Sequence, residues 1–429
     1  MKYLPIDKQL FIQNRKKFRS KLAKNSCAIF NSNDVMPTNA DGTMPFKQNN
    51  DLFWLSGVDQ EETVLVISPN HTNHKMREIL FLKETNKHIE IWEGAKLNKE
   101  KAFNISGIET VFWLNEIEDK LRELSLDTNT IFLNKNIHSR ASSDVETRDD
   151  RFRKMISKKF SNIKIKEVAP IMHELRSIKS SYEIELIQNA CNITEKGFRR
   201  ILPFINAGVM EYEIEAELMH EFLNNRSSGF AYEPILGSAR NSCVLHYIEN
   251  NKECKDGDIL LMDFGAEYAN YASDMTRTVP VNGRFSNRQK EVYRSVLHIM
   301  KEATSMLRPG TVIAEYHKEV GKLMEAELIN LNLLDKHDVQ KQNPKKPLFR
   351  EYFMHGTSHY LGLDVHDVGD VSAPMKDGMV FTCEPGIYIL KEELGIRIEN
   401  DILVTNDKPF DLMRNIPVEI EEIEDLMNI

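Results

Sequence analysis

The thirteen residues from His355 to Asp367 read HGTSHYLGLDVHD and hold three histidines and two aspartates. The chain has 13 histidines among 429 residues, so this local density is not a by-product of composition. Imidazoles titrate near neutral pH and ligate metals, which makes such a cluster a candidate for proton transfer or metal binding. Taken singly, each is more often a hydrogen-bonded interior imidazole. The question is what the rest of the chain can bring to meet them.

Four carboxylates raise a related problem. Asp263 ends the apolar run ILLMD, and Asp274 lies eleven residues later in YASDMTRTVPV. A strand–turn–strand arrangement through GAEYANYA would set the two side by side. An isolated Asp pair at this spacing is more often a turn cap beside a solvated group, but an aspartate closing an apolar strand lies near the interior and needs a cation or donors. Glu384 follows MVFTC and precedes a Pro-Gly turn. Glu399 sits in IRIEND, where strand alternation would put Arg397, Glu399 and Asp401 on one face. An Arg–Glu pair on a strand is by itself more often a structural ion pair. Four carboxylates on apolar-flanked segments repel one another unless a cation neutralises them. Two oxygen-rich divalent sites with one imidazole would resolve this, and hard oxygen donors with a single histidine favour Mn²⁺, with Co²⁺ or Zn²⁺ admissible.

The elements that must position these residues fall into two halves. Up to about residue 170, β-rich runs such as TVLVISPN and REILFLKE alternate with helical patches, the pattern of an α/β domain. A boundary is placed near Ile171, giving domains 1–170 and 171–429. Ser180 with Glu183 and Ser286 with Gln289 read as capping boxes opening helices. A further helix is expected at 210–224. From 351 onward FTCEPGIYI and GIRIENDILVT read as strands, so the second half is expected to be α+β with antiparallel strands.

Composition excludes other classes. The formal charge is -9, and phosphate binding needs a basic face, so nucleic acid is not an expected partner. The five cysteines (Cys27, Cys191, Cys243, Cys254, Cys383) form no CxxC pair, which suits a reducing compartment. The amino terminus lacks an apolar signal core and no apolar run reaches membrane-spanning length, so no membrane is expected and a cytoplasmic setting is.

Asp263, Asp274, His359, Glu384 and Glu399 resemble, in order and context, the ligand set of the dinuclear metallopeptidases with the pita-bread fold. SCVLHYIEN, MDFGAEYANYASDMTRTVPVNG, HGTSHYLGLDVHDVG, TCEPGIYI and GIRIEND are most similar to the aminopeptidase P family. FKQNNDLFWLSG and IWEGAKL extend the resemblance into the first half, so it covers nearly the whole chain. The resemblance implies an α/β amino-terminal domain before an α+β pita-bread catalytic domain, in a homo-oligomer (dimer or tetramer). It implies two divalent cations held by the five residues, with His359 the one ligand in the histidine cluster. It places His246 and His366 in the site, holding substrate and passing protons, with His355, Tyr388 and Arg397 close by. Trp92 in IWEG matches a tryptophan that can reach a neighbouring subunit's site, although a buried core tryptophan is an equal reading. Two departures are noted: Thr357 stands where leucine is expected, and the segment between the Glu384 and Glu399 motifs is short.

The activity so implied is hydrolysis of the bond between an amino-terminal residue and a following proline, through a hydroxide bridging two cations, with Glu384 as general base. Its substrates would be peptides with proline in second position. The rival readings are an Xaa-Pro dipeptidase (prolidase), which shares the ligands, and a non-catalytic pita-bread binding module or a metal-free creatinase-like enzyme, both disfavoured because all five ligand candidates are present.

Overall fold

The computed structural model describes residues 2–138, 141 and 143–429. The chain divides into two compact units, one from Pro5 to Arg176 and the other from Ser177 to Ile429 together with the first residues through Leu4. The boundary expected after residue 170 lies inside the helix Ala169–Ser177, and this division lies at the end of that helix.

The amino-terminal unit is built on a six-stranded mixed sheet ordered β4-β3-β2-β1-β5-β6. Its strands are β1 Ser26–Asn31, β2 Val64–Ile67, β3 Glu78–Leu82, β4 Thr110–Trp113, β5 Thr130–Leu133 and β6 Lys164–Glu167. β1 pairs antiparallel with β2 and parallel with β5, so the sheet changes sense at its centre. SCAIFN, VLVI and EILFL are apolar without alternation because both faces are covered. On one face Ile29, Val66 and Phe81 pack with Leu121, Leu124 and Ile156 from the flanking helices. On the other, Phe30 meets Phe18 edge-on at 5.4 Å between ring centroids.

The second unit is α+β, and among the described residues its strands form four small antiparallel groups. β7 Ile235–Ser238, β8 Ile259–Phe264 and β11 Met275–Pro280 make one sheet, with the hairpin β9 Glu267–Tyr268 and β10 Tyr271–Ala272 between β8 and β11. β12 Val380–Cys383, β15 Asn400–Leu403 and β16 Phe410–Asp411 make another, while β13 Gly386–Ile389 pairs with β14 Leu394–Arg397. The helices Ser181–Ile201 and Asn287–Met306 open with the two expected capping boxes, in which Ser180 and Ser286 cap the third amide of their helices and Glu183 and Gln289 reach back. The third helix expected is found at Glu211–Asn224.

Two strand expectations are corrected. FTCEPGIYI breaks at Glu384 and Pro385 into β12 and β13, which belong to different sheets. GIRIENDILVT is not a single strand whose alternation sorts Arg397, Glu399 and Asp401 from their neighbours. β14 ends at Arg397 and β15 begins at Asn400 in a different sheet, so Glu399 lies in the crossover. Residues 396–401 are buried on every side, because both faces of the crossover meet packed structure.

Candidate metal centre

Asp263 lies near the end of β8 and Asp274 just ahead of β11, with Thr276 directly opposite Asp263 in the ladder. The link between them doubles back through a tight hairpin whose central residues, Ala269 and Asn270, take the left-handed conformation (φ 54° and 66°) that two-residue hairpins require. Gly265 is needed where the returning chain crosses β8, because a Cβ there would lie 1.7 Å from the Ser273 carbonyl oxygen. The result is that Asp263 and Asp274 share one donor: the Tyr232 hydroxyl lies 2.5 Å from an oxygen of each.

The histidine segment is laid alongside β12. Glu384 N–H donates to Thr357 C=O, Thr382 N–H to His359 C=O, and Leu361 N–H to Val380 C=O, at 2.9, 3.0 and 3.1 Å. This ladder sets His359 beside Glu384, with Nε2 3.6 Å from Glu384 Oε1 and 3.4 Å from Asp274 Oδ2. Nδ1 of His359 donates to the Tyr360 carbonyl at 3.0 Å, which turns Nε2 towards Asp274 and Glu384 as the atom that would ligate a cation. After His359 the chain folds back, with Asp367 N–H donating to Tyr360 C=O, and His366 stacks on His359 at 4.0 Å between centroids. Asp367 anchors this return in a fully buried ion pair with Lys179, 3.1 Å long. Gly362 leaves room for it, since a Cβ there would come 2.1 Å from Asp367 Oδ2.

Glu399 is held by β11 through backbone and side chain. Its N–H donates to Thr276 C=O at 3.0 Å and its Oε2 accepts from Thr276 Oγ1 at 2.6 Å. Arg277, wholly buried, donates to the Glu399 carbonyl at 2.8 Å. Arg397 donates to Asp263 Oδ2 at 2.5 Å, to Thr276 Oγ1 at 3.0 Å and to the Tyr388 hydroxyl at 2.7 Å. That hydroxyl in turn meets His355 Nε2 at 2.8 Å. Burial, with Arg397 nearby, holds His355 neutral down to about pH 3, so its Nε2 can accept a hydrogen bond from the Tyr388 hydroxyl.

Among the described residues, Asp274, His359 and Glu399 bring ligand atoms within 4.8 Å of one another. Asp263 joins this group through Tyr232 and Glu384 through His359. Burial pushes Glu399 well above the usual carboxylate range, reinforced by Asp274, Glu384 and Asp263. Burial raises Asp263 too, against the Arg397 charge, and lifts Glu384 to about 7 against the pull of His359. Burial works to raise Asp274 as well, but the bond and charge of His359, with the Tyr232 hydroxyl and His366, together leave it lowered. Burial works against the charged form of His359, yet its bond to Asp274 and the charges of Glu384 and Asp274 raise it to about 9. Such a group keeps protons that a divalent cation would displace, and its hard oxygens with one imidazole nitrogen suit that cation.

The other residues expected at the site are placed unevenly. His246 is exposed and close enough to His355 to contribute to its depressed basicity. Trp92 is 77% exposed on a helix of the amino-terminal unit, which removes the core reading for it. Sequence reasoning overlooked Tyr232, whose setting in FAYEP carries no signal of its own, and gave Asp401 no role. Asp401 accepts from the Asp274 N–H at 3.0 Å and so fixes the backbone of that carboxylate. Thr357 is buried, and its N–H donates to Nδ1 of His317 at 3.2 Å. The short segment after Glu384 is the β13–β14 hairpin, closed by Glu393 in the left-handed region at φ 52°.

Residues 185–406 match the model of metallopeptidase family M24, and residues 11–132 match that of the aminopeptidase P amino-terminal domain. The Xaa-Pro aminopeptidase of Escherichia coli K12 is 34% identical over 98% of each chain. Xaa-Pro aminopeptidase 3 of Homo sapiens is 32% identical over 92% of this chain and 78% of its own. A solved structure of zinc-substituted E. coli aminopeptidase P in complex with product superimposes with a TM-score of 0.88, at 32% identity and 99% coverage of both chains. The amino-terminal α/β domain and the pita-bread domain are thus both present, and the carboxylate–histidine cluster falls within the matched peptidase region. This chain belongs to metallopeptidase family M24, in its aminopeptidase P branch.

Proposed function

We propose that the chain removes the amino-terminal residue from peptides whose second residue is proline, using divalent cations held by Asp263, Asp274, His359, Glu384 and Glu399. The observation that carries this reading is the convergence of Asp274, His359 and Glu399 inside a full-length match to enzymes of that name. Residues 171–429 form the catalytic domain and residues 1–170 the amino-terminal one. Mn²⁺ is the cation we assign, on the oxygen-rich donor set. A cytoplasmic setting is consistent with the absence, among the described residues, of any helix long and apolar enough to cross a membrane. A homo-oligomer, in which Trp92 serves a neighbouring copy's site, completes the reading.

Bound cations would polarise the scissile carbonyl and lower the pKa of the attacking water. The remaining steps belong to side chains. Glu384 is the general base, since its carboxylate faces His359 Nε2 and Asp274 across the same small volume. His366, stacked on His359, and the exposed His246 deliver the proton to the leaving prolyl nitrogen and steady the developing oxyanion. Arg397, Tyr388 and His355 form a hydrogen-bonded chain that holds Asp263 in place and lines the substrate side. An Xaa-Pro bond is a tertiary amide with no N–H, so a site that fits the pyrrolidine ring gains selectivity that a donor-reading site cannot.

The test compares Xaa-Pro, Xaa-Pro-Yaa and Xaa-Ala-Yaa at equal concentration with Mn²⁺ supplied. Cleavage of the proline tripeptide is expected, with a large drop for the alanine peptide. Cleavage confined to the dipeptide would make the protein a prolidase, and indifference to proline would defeat both assignments.

A further inference from the structure

A groove of about 720 Å³ runs between the helix Ile313–Asn330 and the loop 342–350. Five of its lining residues are cationic and one, Glu325, is a carboxylate. Lys322 is paired with Glu319 at 2.7 Å, and Glu325 accepts from Gln342 at 2.5 Å. Lys318, Lys345, Lys346 and Arg350 are exposed and, among the described residues, have no carboxylate within 4 Å. Four unopposed cations in one groove stand out on a chain of net charge -9. Pro344, Pro347 and Phe349 supply an apolar floor, with the Arg350 guanidinium 5.9 Å from the Phe349 ring centre.

The groove adjoins the histidine segment that carries His359. His317 lines it, and its Nδ1 accepts from Thr357 N–H, whose own carbonyl accepts from Glu384 N–H. A Cβ at Gly356 would sit 3.4 Å from the His317 ring, so the histidine segment lies directly against the groove. In a substrate whose amino terminus is held at the carboxylates, the residues after the scissile bond must extend away from them.

We propose that this groove binds the downstream part of the peptide substrate and selects for carboxylates there, whether acidic side chains or the free carboxy terminus. The proposal rests on the peptidase reading above and extends it from the second residue to those beyond. Charge complementarity is the argument. Four cations without carboxylate partners among the described residues give the groove a positive potential that complements carboxylates on the downstream residues.

The test uses two peptides of equal length at low ionic strength, Ala-Pro-Gly-Gly-Asp-Asp-Asp and Ala-Pro-Gly-Gly-Lys-Lys-Lys, with the wild type and the combined Lys318→Ala, Lys345→Ala, Lys346→Ala variant. The readout is the ratio of kcat/KM for the two, so a general loss of activity in the variant cancels. The wild type should favour the acidic peptide by roughly tenfold, mainly through KM, and the variant should bring the ratio to about one. Raising the salt should shrink the wild-type preference, since exposed charges are screened. A second measurement needs no turnover: fluorescence anisotropy of dye-labelled Gly-Gly-Asp-Asp-Asp with the metal-free protein should show binding that the variant loses. Equal rates for both peptides, with no anisotropy difference, would overturn the groove and leave the peptidase reading intact. Anisotropy binding lost in the variant, with neither peptide cleaved, would support the groove while removing the peptidase reading. Tighter binding of a single-stranded oligonucleotide than of the acidic peptide would overturn the peptide assignment.

Discussion

Asp274 is the most constrained carboxylate of the site, bonded to Tyr232, beside His359, and with its backbone held by Asp401. His359 and His366 stack on each other, and on the roles proposed for them, ligand and proton carrier, their variants should separate. His359→Ala is expected to lose metal, measured as ions per chain after loading with excess Mn²⁺. His366→Ala should keep metal and lose turnover by roughly 10²–10⁴-fold, the usual range for an acid–base group. Equal metal loss in both would end this division of roles. Titration gives a second prediction at this scale. Glu384 has its folded pKa raised to about 7 from 4.5, so between those values the native state binds more protons than the unfolded one. Stability of the metal-free protein from this group therefore falls as pH rises from about 4.5 to 7, and Glu384→Gln should flatten that slope in denaturant titrations. Divalent cation should restore more stability at pH 7 than at pH 5, where protons already neutralise the carboxyl.

Elements position these residues through a few close approaches. Gly265 lets the chain from β10 cross β8, and Gly265→Ala would drive a methyl into the Ser273 carbonyl. That overpacking should cost about 1–3 kcal/mol and weaken cation binding together with it, because Asp263 and Asp274 move apart. The cation arm is measured by competition with a chelating dye. The Lys179–Asp367 pair is buried at both ends, so Lys179→Met should destabilise the protein by about 3–5 kcal/mol in urea unfolding by taking away the buried cation opposite Asp367. The double change with Asp367→Leu should recover much of that loss. A variant no less stable than wild type would show that the return after His359 is held by other contacts. The capping boxes of the two long helices were legible in the chain because a Ser–x–x–Glu or Ser–x–x–Gln pattern is a local device. The break between β14 and β15 was not, since nothing in IRIENDIL punctuates it.

At the scale of the whole molecule, two compact units with separate cores should unfold as separable transitions. A cation bound at the carboxylate cluster stabilises only the unit that carries it. In calorimetry, cation at a hundred times its Kd should raise that unit's stability by about 2.7 kcal/mol and move its transition upward, and a chelator should reverse the shift. A thermogram unchanged by cation would argue against the centre. What the sequence by itself determined here is the four carboxylate candidates, the α/β-then-α+β order and the helix starts, because each is written in local pattern or in residue type beside an apolar run. His359 was singled out from its neighbours by the family resemblance. Tertiary structure alone decided that Tyr232 bridges two aspartates, that Asp401 supports Asp274, that Thr357 meets His317, and that Lys318 shares a groove with the cations of the 342–350 loop. Those partners lie from about thirty to more than a hundred residues apart, as Tyr232 does from Asp263 and Asp274 from Asp401. No propensity or period links such positions; they meet only where separate strands, helices and loops pack against one another.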